Sequence, residues 1–128
     1  MNQSSTPVAL ARAFTAAWTG HDLDTAANFV AAAVTFDGPL SHSTGKEAYL
    51  QGLAAFARTV TGATILAAFG DDTRALIMYD VTGPFGTLTC AELLAVRDSK
   101  IHADRLTFDS YTVRQAGGSA TGGAHPTT

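Results

Sequence analysis

Two carboxylates occupy positions from which they could move a proton. Asp37 closes the run Val34-Thr35-Phe36-Asp37, just ahead of Gly38-Pro39. A carboxylate at the mouth of an apolar pocket becomes a base near neutral pH when the pocket walls raise its pKa. An Asp before Gly-Pro can equally cap a turn through its own side chain. Glu92 interrupts Leu88-Thr89-Cys90-Ala91-Glu92-Leu93-Leu94-Ala95-Val96, the most apolar extended run of the chain. Strand alternation puts Leu88, Cys90, Glu92, Leu94 and Val96 on one face. An acid in such a row must find a cation, keep its proton or reach solvent. Keeping the proton at neutral pH needs a pKa raised by roughly 3 units, about 4 kcal/mol of disfavoured ionisation. The alternative is an ion pair with Arg74 or Arg105 from a neighbouring strand.

Other polar groups cluster late in the chain. His102, Asp104, Arg105 and Asp109 share one extended stretch. Alternation groups Asp104 with Leu106 and Phe108, and Asp109 with Arg105 and Thr107, unless a bulge intervenes. An ion pair on the sheet surface through Arg105 accounts for at least one of these acids. Ile77, Tyr79 and Val81 share a face of the preceding run, and pairing across the Thr82–Gly86 turn brings them beside Cys90 and Glu92. Tyr79 then serves as a hydroxyl donor or a wall. Cys90 has no basic neighbour in sequence to lower its pKa and reads as a small buried filler. The four histidines, His21, His42, His102 and His125, lack metal-ligand spacing, so no metal is expected. His42 is close enough in sequence to relay a proton to Asp37 or to stay a surface loop residue. No Rossmann or Walker pattern occurs, and no cofactor is expected.

Three helices and a meander of strands must position these groups. Thr6-Pro7 starts the first helix, whose stripe Leu10, Phe14 and Trp18 ends near Gly20. Asp22 caps a second helix over about 23–32. Thr44-Gly45-Lys46-Glu47 has capping-box spacing, and Tyr49, Leu50, Leu53, Ala54 and Ala57 continue at helical period. A short strand over 34–37 precedes it. Runs at 64–69, 74–81, 87–96 and 100–112 are rich in β-branched and aromatic residues and are joined by short turns, which predicts antiparallel neighbours. The fold class is α+β: three N-terminal helices on a strongly curved, mainly antiparallel sheet.

The chain has 128 residues, 46% of them hydrophobic, with 8 Lys and Arg against 11 Asp and Glu. That length suits a single domain, expected over 1–115, followed by a Gly/Ser/Thr-rich tail over 116–128 that lacks apolar anchors. The acidic balance argues against nucleic acid as a partner, since no basic stripe neutralises phosphates. No apolar run reaches the roughly 20 residues of a membrane span, so no membrane is expected. The start Met-Asn-Gln-Ser-Ser-Thr-Pro carries no basic-then-apolar pattern, which makes a cytoplasmic location the expectation. One cysteine excludes an internal disulfide.

Over about residues 7–112 the chain resembles the nuclear transport factor 2-like superfamily, in its SnoaL-like polyketide cyclase and ketosteroid isomerase-like branches. The resemblance rests on Gly20-His21-Asp22-Leu23, Val34-Thr35-Phe36-Asp37, Gly45-Lys46-Glu47-Ala48 and the late pair 95–101 and 106–109. It implies a cone-shaped barrel around an apolar pocket, and a homodimer. It does not imply one chemistry, because isomerases, cyclases, dehydratases, epoxide hydrolases and non-catalytic binding proteins share that cone. Asp37 matches the aspartate that moves a proton in isomerase-like members, and Glu92 falls near their buried acid. Polyketide-cyclase-like members have an aspartate near Asp109. Phe14 stands where isomerases carry a tyrosine, so true steroid isomerisation is not expected, and Tyr79 is the substitute donor.

The expectation is a cofactor-independent acid/base enzyme acting on a small apolar carbonyl compound. Asp37 and Glu92 are its catalytic residues. Phe14, Trp18, Ile77, Tyr79, Cys90, Asp104 and Phe108 bind the substrate. The alternative is a non-catalytic ligand-binding or dimerisation module. Epoxide hydration by Asp104, Arg105 and Asp109 is weaker, because the three lie too close along one strand to converge on one water. A homodimer also fits the outward row Leu76, Met78 and Asp80 beside Ala91, Leu93 and Ala95, which is too apolar to leave wet.

Overall fold

The computed structural model describes residues 6–120. Its elements run α1 (Pro7–Thr19), α2 (Leu23–Ala27), β1 (Val30–Asp37), β2 (His42–Thr44), α3 (Lys46–Ala57), β3 (Gly62–Gly70), β4 (Arg74–Gly83), β5 (Gly86–Arg97), β6 (Lys100–Thr107) and α4 (Ser110–Ala120). The six strands form one sheet in the order β2-β1-β6-β5-β4-β3. All pairs are antiparallel except β1 with β6. Register shifts in β1, in β3 and between β5 and β6 bend the sheet, as bulges do. It curves without closing, so the expected barrel is an open, cone-like sheet with β2 and β3 at its edges.

The first helix forms as its sequence dictates. Thr6 accepts a hydrogen bond from the Ala9 N–H at 3.1 Å, and Pro7 opens the first turn. Leu10, Phe14 and Trp18 are buried, and α1 lies against β3 and β4. On β4 the buried residues are Ala75, Ile77, Tyr79 and Val81; on β5 they are Leu88, Cys90, Glu92, Leu94 and Val96. Both rows obey period-two alternation, and the face they share with α1 is the core.

Several local expectations yield to tertiary pairing. Asp22 caps α2 through the Thr25 N–H at 3.2 Å, but the helix stops at Ala27 rather than near Ala32. The Ile101 N–H donates to the Phe29 carbonyl at 2.7 Å and Lys100 Nζ to the Asn28 carbonyl at 2.6 Å. These bonds draw the chain alongside β6, and β1 begins at Val30 in spite of its alanines. The capping box at Thr44 does not form: Thr44 pairs with Thr35 in β2, and Gly45, at φ 98°, is the N-cap of α3 without a side-chain bond. Positive φ at that corner suits glycine.

The last expected strand also ends early. Asp109 accepts the Tyr111 N–H at 3.0 Å and starts α4, so the strand predicted to residue 112 stops at Thr107. Helix α4 packs Val113 and Ala116 on the core and runs to Ala120, so it crosses the expected start of the tail. Positions 121–128 of that tail, with His125, lie outside the described residues. Among the described residues no helix is long and apolar enough to cross a membrane.

Candidate functional site

Between the curved sheet, α1 and α3 lies a cavity of about 480 Å³, within the range of small-molecule sites. Its walls are largely aromatic: Trp18, Phe36, Tyr49, Phe56, Tyr79 and Phe108. Trp18 meets Tyr79 edge-on at 5.9 Å and Phe56 at 5.8 Å between ring centroids. Phe56 stacks on Phe108 at 6.3 Å and on Phe85 at 5.8 Å. Leu40 and His42 of the β1–β2 hairpin stand at the lining with Leu53 and Leu106. Among the described residues no Lys or Arg contributes to it.

Two acids also line the cavity, and both are buried: Glu92 is 4% exposed and Asp104 2%. Register explains their meeting. Glu92 pairs with Ile77 and Leu106, while Cys90 pairs with Tyr79 and Leu94 with Asp104. Tyr79, Glu92 and Asp104 therefore lie on a diagonal across β4, β5 and β6, each two residues out of register with the next. Long side chains bridge such diagonals. The Tyr79 hydroxyl donates to Glu92 Oε1 at 2.7 Å, and from α3 the Tyr49 hydroxyl donates to Asp104 Oδ2 at 2.5 Å.

Of the two acids, Asp104 is the one that holds its proton more tightly than usual. Burial first, then the Glu92 charge and a hydrogen bond with Glu92, hold the Asp104 carboxyl well above the usual carboxylate range; its bond from Tyr49 opposes this. Among the described residues Asp104 Oδ1 has no hydrogen-bond partner. Like charges this close in an apolar setting cannot both ionise at ordinary pH. Burial, followed by the neighbouring carboxylates, also pushes both tyrosines well above their usual value. They remain donors. Burial and then Glu92 raise the Cys90 thiol to about 12, which leaves it unreactive.

The structure brings together only part of the expected site. Glu92, Trp18, Tyr79, Asp104 and Phe108 line the cavity. Phe14, Ile77 and Cys90 are fully buried behind it, where Phe14 stacks on Tyr49 at 6.5 Å. They support the wall and do not form it. Asp37 is outside the lining, with its side chain 46% exposed, and pairs with His42 Nδ1 at 2.7 Å and Arg105 Nη2 at 3.2 Å. The hairpin pairing Asp37↔His42 and the parallel pairing Asp37↔Arg105 turn all three outward together. Asp37 therefore lies at the surface, outside the lining of the cavity it is expected to serve.

Neither expected arginine reaches Glu92. Arg74 pairs with Asp71 at 3.1 Å, and Arg105 with Asp37. The Asp104, Arg105 and Asp109 set does not converge: Asp104 points into the cavity region, Arg105 to the surface, and exposed Asp109 caps α4. Tyr49, which the sequence places only in a helical stripe, lines the cavity as well. Its signal was a hydroxyl set in the otherwise apolar helical stripe Tyr49, Leu50 and Leu53. Among the described residues no cluster of three potential metal ligands occurs.

The sequence profile of the SnoaL-like domain matches residues 11–103. None of the curated proteins matches the chain by sequence. Among solved structures, a protein of Kribbella flavida is 34% identical, covers 94% of this chain and all of its own, and superposes with a TM-score of 0.86. A Catenulispora acidiphila protein with a ketosteroid isomerase-like fold, solved with trimethylamine, is 24% identical with a TM-score of 0.71; the match covers 88% of this chain and 95% of that one. An epoxide hydrolase of Mycobacterium tuberculosis is 18% identical with a TM-score of 0.70, over 86% of this chain and 87% of its own. The last two likenesses concern the fold.

Proposed function

The chain belongs to the SnoaL-like domain family, and from that premise we propose that it is a cofactor-independent acid/base enzyme acting on a small, mostly apolar carbonyl compound of polyketide or terpenoid type. One observation carries this reading: a buried carboxyl pair, without a cation, at the edge of an aromatic cavity. Glu92, as carboxylate, takes a proton from the carbon beside the ligand carbonyl. The carbonyl oxygen gains the negative charge and accepts a hydrogen bond from protonated Asp104, which Tyr49 orients. Glu92 then returns the proton to another carbon of the enolate, so the net change is isomerisation with no proton gained or lost. Tyr79 holds Glu92 in place throughout.

Cyclohex-3-enone is a simple probe, because its conjugated product absorbs in the ultraviolet. The protein is expected to accelerate this conversion, and Glu92→Gln to lower the rate about 100-fold or more, the usual scale for a lost general base. Asp37→Asn should leave the rate close to wild type. No acceleration, or an unaffected Glu92→Gln, rejects the reading.

A second reading is a binding module of the same fold. It is favoured by the surface position of Asp37 and by Phe14, which brings no hydroxyl from α1. In that case Glu92→Gln weakens ligand retention, and no probe is turned over. In either reading we expect a homodimer.

A further inference from the structure

We propose that the cavity selects a cation: its ligand is a small organic amine, bound as an ammonium against Glu92 and the aromatic wall. This rests on the acid/base reading only for Glu92 acting as a carboxylate, and it narrows the substrate class to carbonyl compounds that also carry an amine. Three observations carry it. Among the described residues the lining holds two acids and no lysine or arginine, and its one basic residue is His42, engaged with Asp37. Glu92 is nine-tenths buried and has only the Tyr79 hydroxyl and Asp104 for company, neither of them a counter-ion. Six aromatic rings surround the remaining space.

A buried carboxylate without a cation is costly, and proteins normally pair it. The nearest candidate on the adjacent strand, Arg105, is turned outward to Asp37. The missing positive charge is then supplied by what enters. Aromatic faces carry negative charge density and hold ammonium groups, best where water is excluded. An anionic ligand would meet a carboxylate and no lysine or arginine. A neutral ketone would gain hydrogen bonds but leave the charge uncompensated. The ammonium keeps its own proton on binding, and its charge favours ionised Asp104, so binding releases a proton to solvent.

Titration calorimetry at neutral pH with cyclohexylamine, cyclohexanone and cyclohexanecarboxylate tests this with one ring and three charges. Cyclohexylamine is expected to bind at least about tenfold tighter than cyclohexanone, and the carboxylate weakest of all. Glu92→Gln should abolish the advantage of the amine. Phe108→Leu, which keeps both acids, should weaken the amine more than the ketone. Equal or tighter binding of the ketone or carboxylate overturns the proposal. So does an amine advantage that survives Glu92→Gln, or absence of amine binding to the folded wild type. The enone assay separates the two readings. Turnover with a preference for ketone removes only the amine proposal, whereas amine preference without turnover removes only the enzyme.

Discussion

Glu92 and Asp104 acquire their chemistry from one another. Alone on an apolar strand, Glu92 would have to lose its charge or find an arginine; here it accepts a hydrogen bond from Tyr79 and raises the pKa of its buried neighbour Asp104. The arrangement has a signature in stability. Asp104 has a raised pKa in the folded chain, so the fold keeps a proton that the unfolded chain releases from about pH 4 upward. Its contribution is fully present below that pH and is lost as pH rises through the folded value. Thermal melts across this window should show the wild type losing stability toward neutral pH more steeply than Asp104→Asn. Parallel curves for the two proteins would place the proton elsewhere. Asp37 shows the opposite case, a carboxylate whose sequence context suited catalysis but whose neighbours, His42 and Arg105, hold it at the surface.

At the scale of elements, the site depends on turns and bulges that set where each strand stands. Gly83 ends β4 at the turn into β5, where a Cβ would come 2.5 Å from the Thr59 carbonyl oxygen and 2.8 Å from the Phe85 ring. The first contact is backbone and cannot swing aside. Phe85 stacks on Phe56, which lines the cavity, so the turn and the wall are one packed unit. Gly83→Ala should cost about 1–3 kcal/mol, as overpacking does, and lower the urea midpoint. An unchanged midpoint would mean that the turn relaxes freely. The shift between Ile101 and Ala103 has a larger effect, because it decides which polar residues of β6 face inward.

Over the whole molecule, the sheet face turned away from α1 is apolar where water would be expected. Phe69, Leu76 and Leu93 lie side by side across β3, β4 and β5, exposed by 71%, 45% and 38%, with Met78 in the adjoining row. An exposed patch of this kind marks an interaction surface. We expect a second copy of the chain to cover it. Sedimentation velocity should find a dimer for the wild type and a monomer for Leu76→Lys with Leu93→Lys, with unchanged circular dichroism. A monomeric wild type at micromolar concentration rejects the dimer.

Much of this protein was determined by the sequence alone. Alternation placed Glu92 in the buried row of β5 and Tyr79 in that of β4, and the Thr6-Pro7 start and the stripe of α1 were readable from cap and period. The order α1, α2, β1, α3 and then β3 to β6 was readable as well, whereas β2 and α4 were not. Only the tertiary structure decided that Tyr49 reaches Asp104 across 55 positions of chain. It also decided that Arg105 turns to Asp37 rather than Glu92, that 30–33 form strand instead of helix, and that Asp109 caps a helix. The reason is physical. Periodicity fixes which face a side chain takes within one element, but its neighbours depend on register, bulges and the packing of other elements. A pair of buried acids on two strands belongs to the pairing of those strands and to neither segment of sequence alone.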